Sequence, residues 1–241
     1  MKSRVRSEEL RTAIRVASLL LMAATPALAA GRPVTLPSSD GTTLSGEFFE
    51  AAGRPSPGVV LVHMLSRNKG DWHALPDRIR DAGITALTID LRGHGSSSGS
   101  ASDLTAMVRD VRAAAQWLAS RPNVRPDAVA IVGASLGASL ALLAATELPQ
   151  VRAIGLLSPS LDYRGLRTDV ALVKRLGARS MWLAASTEDA LSLRTVRDFA
   201  AEPSGPREQY VATVAAHGTQ LLDRDGDAAR ALVDWLRRSL Y

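Results

Sequence analysis

The sequence predicts an α/β fold: a mostly parallel central sheet flanked by helices on both faces. Short runs such as 58–63 (GVVLVH), 84–90 (ITALTID), 128–132 (AVAIV) and 151–157 (VRAIGLL) are apolar along their whole length, as strands covered on both faces must be. They alternate with longer segments whose apolar residues recur at three- and four-residue steps. Strand-helix alternation of this length implies parallel pairing through right-handed crossovers. No repeat, low-complexity tract or linker divides the chain, so residues 30–241 read as one domain.

The elements follow in order. Residues 1–29 combine a basic start (Lys2, Arg4, Arg6, Arg11, Arg15), an apolar stretch at 16–25 and the small-residue triplet Ala27-Leu28-Ala29 after Pro26. That is the layout of a cleavable export signal, and only 16 uncharged residues separate Arg15 from Arg32, short of the roughly 20 a spanning helix needs. A secreted or periplasmic protein with no stable membrane anchor is expected. Strands are then predicted near 34–36, 42–49, 58–63, 84–90, 128–132, 151–157, 180–184 and 208–214, with helices at 71–82, 103–120, 136–147, 191–201 and 222–239. The helix at 103–120 shows the pattern best, with Met107, Val111, Ala114, Ala115 and Leu118 on one stripe. Only about 22 residues join the strand ending at Leu157 to the one beginning at Ser180, which leaves room for a minimal cap or none.

Composition narrows the chemistry. Of 241 residues, 46% are hydrophobic and 22% charged, an ordinary globular balance that rules out a disordered chain. The formal net charge of +5 owes three units to the first thirty residues; the rest carries 24 basic against 22 acidic groups, too even a balance to suggest a nucleic-acid partner. Cysteine is absent, which excludes disulfides, thiolate metal sites and a cysteine nucleophile. The four histidines form no H-x-x-H or H-E-x-x-H pair, so no metal is expected, and no organic cofactor either.

The informative segment is Gly133-Ala134-Ser135-Leu136-Gly137, a G-x-S-x-G between an apolar strand and a helical pattern. A serine hydroxyl becomes a nucleophile when exposed, fixed and beside a base. A sharp strand-to-helix turn exposes and fixes it, small glycines let the turn pack, and the helix start supplies the Leu136 N–H to a developing oxyanion. Among His63, His73, His94 and His217, only His217 lies in a loop after the last strand, where a general base can reach back over the nucleophile. The orienting acid should follow a later strand. Asp189 fits best, and Glu188 beside it and Asp162 after the preceding strand are rivals.

These residues resemble the α/β-hydrolase superfamily, in particular its dienelactone-hydrolase-like and carboxylesterase-like members, across 33–241. Beyond the serine motif, the likeness rests on 59–72 (VVLVHMLSRNKGDW), 89–99 (IDLRGHGSSSG, similar to a D-x-R-G-x-G-x-S turn) and 215–222 (AAHGTQLL). The resemblance implies a Ser135–Asp189–His217 triad with Leu65 and Leu136 as backbone oxyanion donors. Met64 stands where the family usually has glycine, which leaves Met64 as a rival to Leu65. Dienelactone hydrolases proper use a cysteine nucleophile, so their substrate class is not carried over. The expectation is an exported serine hydrolase that cleaves a small-molecule carboxylic ester through an acyl-enzyme. Peptidase, thioesterase or acyltransferase chemistry uses the same parts, and a non-catalytic hydrolase-fold binding protein is the rival of another class.

Overall fold

The computed structural model describes residues 31–53 and 55–241; the export signal expected over residues 1–29 lies outside the described residues. The chain runs β1 (Arg32–Pro37), β2 (Thr43–Phe49), β3 (Ser56–Val62), a 3₁₀ turn (Lys69–Trp72), α1 (Leu75–Asp81), β4 (Thr85–Ile89), α2 (Leu104–Ala119), β5 (Val124–Ala134), α3 (Leu136–Thr146) and β6 (Val151–Leu157). It continues through β7 (Asp162–Tyr163), β8 (Leu166–Arg167), α4 (Val170–Leu176), β9 (Ser180–Ser186), α5 (Ala190–Ala200), β10 (Arg207–Ala212), α6 (Gln220–Arg224) and α7 (Gly226–Leu240). Eight strands form one sheet in the order β1-β2-β4-β3-β5-β6-β9-β10. Within this sheet β1 with β2 and β2 with β4 pair antiparallel, and the pairings β4-β3, β3-β5, β5-β6, β6-β9 and β9-β10 are parallel. This is the mostly parallel, doubly covered sheet that the apolar runs predict.

Why both faces are covered follows from the two-residue period of a strand. In β3, Val60 and Val62 join one apolar layer while Val59 and Leu61 join the other, and all four are fully buried. Met107, Val111 and Leu118 of α2, Leu136 and Leu140 of α3, and Val196 and Phe199 of α5 close the first layer. Ile79 of α1, Leu221 of α6, and Leu232, Trp235 and Leu236 of α7 close the second. Helix ends are set by short side chains: the carboxylates of Asp103, Asp169, Asp189 and Asp225 accept backbone N–H groups at the starts of α2, α4, α5 and α7, satisfying donors the first turn leaves unpaired.

Local differences from the sequence reading have local causes. The final helical stretch is two helices, because Asp225 leaves helical geometry (φ −129°, ψ 98°) to cap α7. The stretch between β6 and β9 holds a two-residue hairpin, β7–β8, and the two-turn helix α4. Arg164 (φ 50°) and Gly165 (φ 90°) make its turn, the positive-φ pair of a tight hairpin. No larger cap stands over this part of the sheet among the described residues.

Candidate active site

Ser135 stands between β5 and α3, with φ 52° and ψ −114°. A side-chain-bearing residue adopts positive φ sparingly, and the surroundings hold it there. Its N–H donates to Leu157 O at the end of β6 (2.9 Å), and the carbonyl of Ser135 accepts Ala138 N–H in the first turn of α3 (3.0 Å). The flanking glycines serve close approach. A Cβ on Gly133 would lie 2.0 Å from Gly137 O, and one on Gly137 would lie 2.2 Å from Val62 O. The start of α3 is thereby pressed against the end of β3, where the loop that carries Leu65 begins.

His217 follows β10, and its Nε2 lies 2.9 Å from Ser135 Oγ while its Nδ1 lies 2.6 Å from Asp189 Oδ2. The structure thus brings together the three residues picked from the sequence, in chain order Ser135, Asp189, His217. Asp189 uses its other oxygen to accept Ser192 N–H (3.3 Å). Burial alone would raise its carboxyl, but the hydrogen bonds from His217 and Ser192 outweigh that and hold it below the ordinary carboxylate range. The rivals are elsewhere: Asp162 accepts Gly165 N–H within the β7–β8 hairpin and faces Arg167, while Glu188 contributes its backbone N–H to Ser186 Oγ.

The other histidines have partners elsewhere. His63 is fully buried; its Nε2 accepts Leu91 N–H (3.0 Å), so Nδ1 bears the proton and donates to Met64 O (2.6 Å). His94 repeats the pattern, with Nε2 accepting Ser66 N–H (3.2 Å) and Nδ1 donating to Arg92 O (3.0 Å). The two rings pack 5.2 Å apart. Together they tie the 63–66 loop, where the Leu65 N–H sits, to the turn after β4. That turn is held in place by Arg92, whose guanidinium reaches Asp110 (2.6 and 2.7 Å) and Asp40 (2.9 Å), and by Asp90, which accepts from Lys69 and Ser96. The D-x-R-G-x-G-x-S motif is thus a brace for the 63–66 loop. Met64 puts its buried side chain against the residue after His217: a Cβ on Gly218 would lie 2.1 Å from Met64 Sδ. His73 is exposed and faces Asp223 at 3.4 Å.

Sequence reasoning missed the tethers of the histidine loop. Gly218 N–H donates to Ser158 Oγ (2.9 Å), Ser186 Oγ–H to Val214 O (2.6 Å) and Thr219 Oγ1–H to Asp71 Oδ2 (2.7 Å). Their partners lie 28 to 148 residues apart in the chain, so no local pattern announces them.

The site lies at the C-terminal edge of the sheet, where open α/β sheets place their ligands. It is shallow, with the His217 side chain 49% exposed. A cavity of about 560 Å³ lined by Arg152, Arg179, Ser180, Glu208 and Arg238 opens at the opposite edge, where β6 and β9 begin, and shares no residue with the site. Among the described residues no group of three or more His, Asp or Glu is gathered as metal ligands.

A serine on a strand-to-helix turn, a histidine and a carboxylate at this edge of a doubly covered parallel sheet define a hydrolase architecture. The match to the alpha/beta hydrolase family spans residues 59–240, and the chain belongs to that family. An uncharacterised protein of Mycobacterium tuberculosis (strain ATCC 25618 / H37Rv) is 27% identical over 236 residues, covering 90% of this chain and 82% of the relative. A polyketide transferase of Stachybotrys chlorohalonatus is 31% identical over 130 residues, 52% of this chain and 43% of the relative. Among solved structures, a Pyrococcus furiosus esterase superposes with TM-score 0.72 at 16% identity, over 88% of this chain and 93% of the other. A dienelactone hydrolase of Anabaena variabilis gives TM-score 0.72 at 18% identity, over 89% and 100%. At these identities the structural likeness is one of fold.

Proposed function

We propose that this alpha/beta hydrolase is a serine hydrolase of carboxylic esters, acting on small or loosely specified substrates at an open site after export. What supports the reading is the unbroken hydrogen-bonded path from Ser135 Oγ through both nitrogens of His217 to Asp189. His217 Nε2 takes the serine proton as Oγ attacks the ester carbonyl. The Leu65 and Leu136 N–H groups receive the oxyanion. Asp189 keeps the Nδ1 proton in place and stabilises the imidazolium. The imidazolium then protonates the leaving alcohol, and water, deprotonated by the same ring, attacks the acyl-serine and releases the acid. Removal of residues 1–29 belongs to this reading and rests on the order of basic, apolar and small residues there.

Labelling with a fluorophosphonate, followed by hydrolysis of p-nitrophenyl esters of increasing chain length, tests it. Stoichiometric labelling of Ser135 and turnover of the shorter esters are expected. Failure of both would overturn the assignment. Acyl transfer to an alcohol is the second reading, favoured by the partial match to a protein described as a polyketide transferase. It predicts ester products when a primary alcohol competes with water.

A further inference from the structure

Five non-glycine residues have positive φ among the described residues: Ser66, His73, Ser135, Ser158 and Arg164. Three of these, Ser66, Ser135 and Ser158, follow the C-terminal ends of β3, β5 and β6, which are neighbours in the sheet. Ser135 is the proposed nucleophile, and Ser66 adjoins the Leu65 oxyanion donor. Nothing in the proposed chemistry uses Ser158, yet it holds φ 49° directly before Pro159 while only 1% exposed. The preceding position of a proline is itself restricted, so the surroundings must enforce this conformation.

The register explains what it does there. Ala134 of β5, Leu157 of β6 and Ala184 of β9 stand in line across the sheet. Ser158 is thus one residue beyond the middle strand, between the strand that presents Ser135 and the strand that leads to Asp189. Three hydrogen bonds converge on this point. Ser135 N–H donates to Leu157 O (2.9 Å), Ser158 N–H donates to Ala184 O (2.7 Å), and Gly218 N–H donates to Ser158 Oγ (2.9 Å). The histidine loop arrives from β10, on the far side of β9, and must cross β9 and β6 to reach the serine. Ser158 is where it is fastened on the way. Met64 packs against the same turn: a Cβ on Gly218 would lie 2.1 Å from its Sδ.

We infer that Ser158 is a positioning residue for His217: its hydroxyl, turned by the positive φ, accepts the Gly218 N–H and sets the distance from Nε2 to Ser135 Oγ. This rests on the serine-hydrolase reading above. Loss of the acceptor leaves a buried N–H without a partner, and the turn relaxes by moving the imidazole. A misplacement of about 1 Å at a reacting group lowers turnover by roughly 10²-fold. Ester binding does not use the Gly218 N–H, so the loss falls on kcat.

The test compares wild type with Ser158→Gly and Ser158→Ala. Glycine tolerates the backbone conformation and removes only the acceptor, so Ser158→Gly decides even where the alanine variant folds poorly. The expected result is a kcat on p-nitrophenyl acetate lowered about 10- to 100-fold, KM within about threefold, fluorophosphonate labelling slowed in parallel, and a cooperative thermal transition retained. A purely structural role would lower the folded fraction without splitting kcat from KM. A kcat for Ser158→Gly within twofold of wild type, or activity lost only in proportion to folded protein, would overturn the inference and leave the enzyme assignment standing. A wild type that neither labels nor turns over ester would remove both.

Discussion

Asp189 joins two structures with one carboxylate: Oδ2 lies 2.6 Å from Nδ1 of His217, and Oδ1 accepts the Ser192 N–H that begins α5. The cap fixes the carboxylate, and the fixed carboxylate orients the ring. Asp189→Asn keeps the shape and the cap but favours the wrong imidazole tautomer, so kcat should fall by about 10⁴. Asp162→Asn should cost less than threefold, since Asp162 serves only its own hairpin and Arg167. Steady-state kinetics of the two variants on one ester decides between the acids. A severe Asp162 variant beside a mild Asp189 variant would move the acid back one strand.

For Ser135→Ala, turnover should drop by about 10⁶, the scale reached when a triad serine is removed. Folding should survive, because the side chain is not packed into either apolar layer. Thermal unfolding alongside the assay checks both halves. Retained fluorophosphonate labelling in this variant would end the serine mechanism.

Much of this fold was legible because it rests on local signals. Apolar runs of strand length marked β3, β5 and β6, and the stripe from Met107 to Leu118 marked α2 within a residue or so. Ser135 was legible because a strand, two glycines and a helix surround it in sequence. What stayed hidden depends on where distant segments meet. Ser158 looks like an ordinary loop serine until β6 is placed between β5 and β9, and His94 gains its meaning only when Ser66 arrives 28 residues away. The β7–β8 hairpin escaped notice because two-residue strands are too short for any periodicity to register.

The glycines that flank Ser135 predict a stability effect separate from chemistry. Gly133→Ala would set a methyl 2.0 Å from Gly137 O, a backbone atom that cannot step aside without moving α3. A loss of about 3 kcal/mol is expected, or roughly 6 to 12 °C in Tm for a chain of this size. Differential scanning calorimetry reads it directly. A variant that melts within 2 °C of wild type would show that the turn has slack.

Export is testable at the N-terminus. If residues 1–29 act as a cleaved signal, protein recovered from the native host should begin at Ala30 or Gly31, as read by N-terminal sequencing. Full-length chain in the cytosolic fraction would count against it.

The last prediction concerns acid. His63 is buried at the start of the 63–66 loop, and desolvation, aided by the neighbouring His94 and opposed by its bond to Met64 O and by Asp90 and Asp71, lowers its pKa to about 4. The unfolded chain binds that proton near pH 6.5. Between those values the unfolded state holds more protons than the folded one, so stability rises with pH and is lost as pH falls from about 6.5 to about 4. The full difference amounts to about 3 kcal/mol. Protonation also takes away the Nε2 lone pair that accepts Leu91 N–H, loosening the tie between the turn after β4 and the 63–66 loop. Asp90 and Asp189, both held below the ordinary carboxylate range, add their own losses only at lower pH, as they protonate. Urea unfolding measured from pH 7 to pH 4 should therefore show a steady decline in wild type. In His63→Gln, whose amide can accept from Leu91 and donate to Met64 without titrating, that slope should flatten even if the variant is weaker at pH 7. An equal slope in both proteins would place the acid sensitivity in another group.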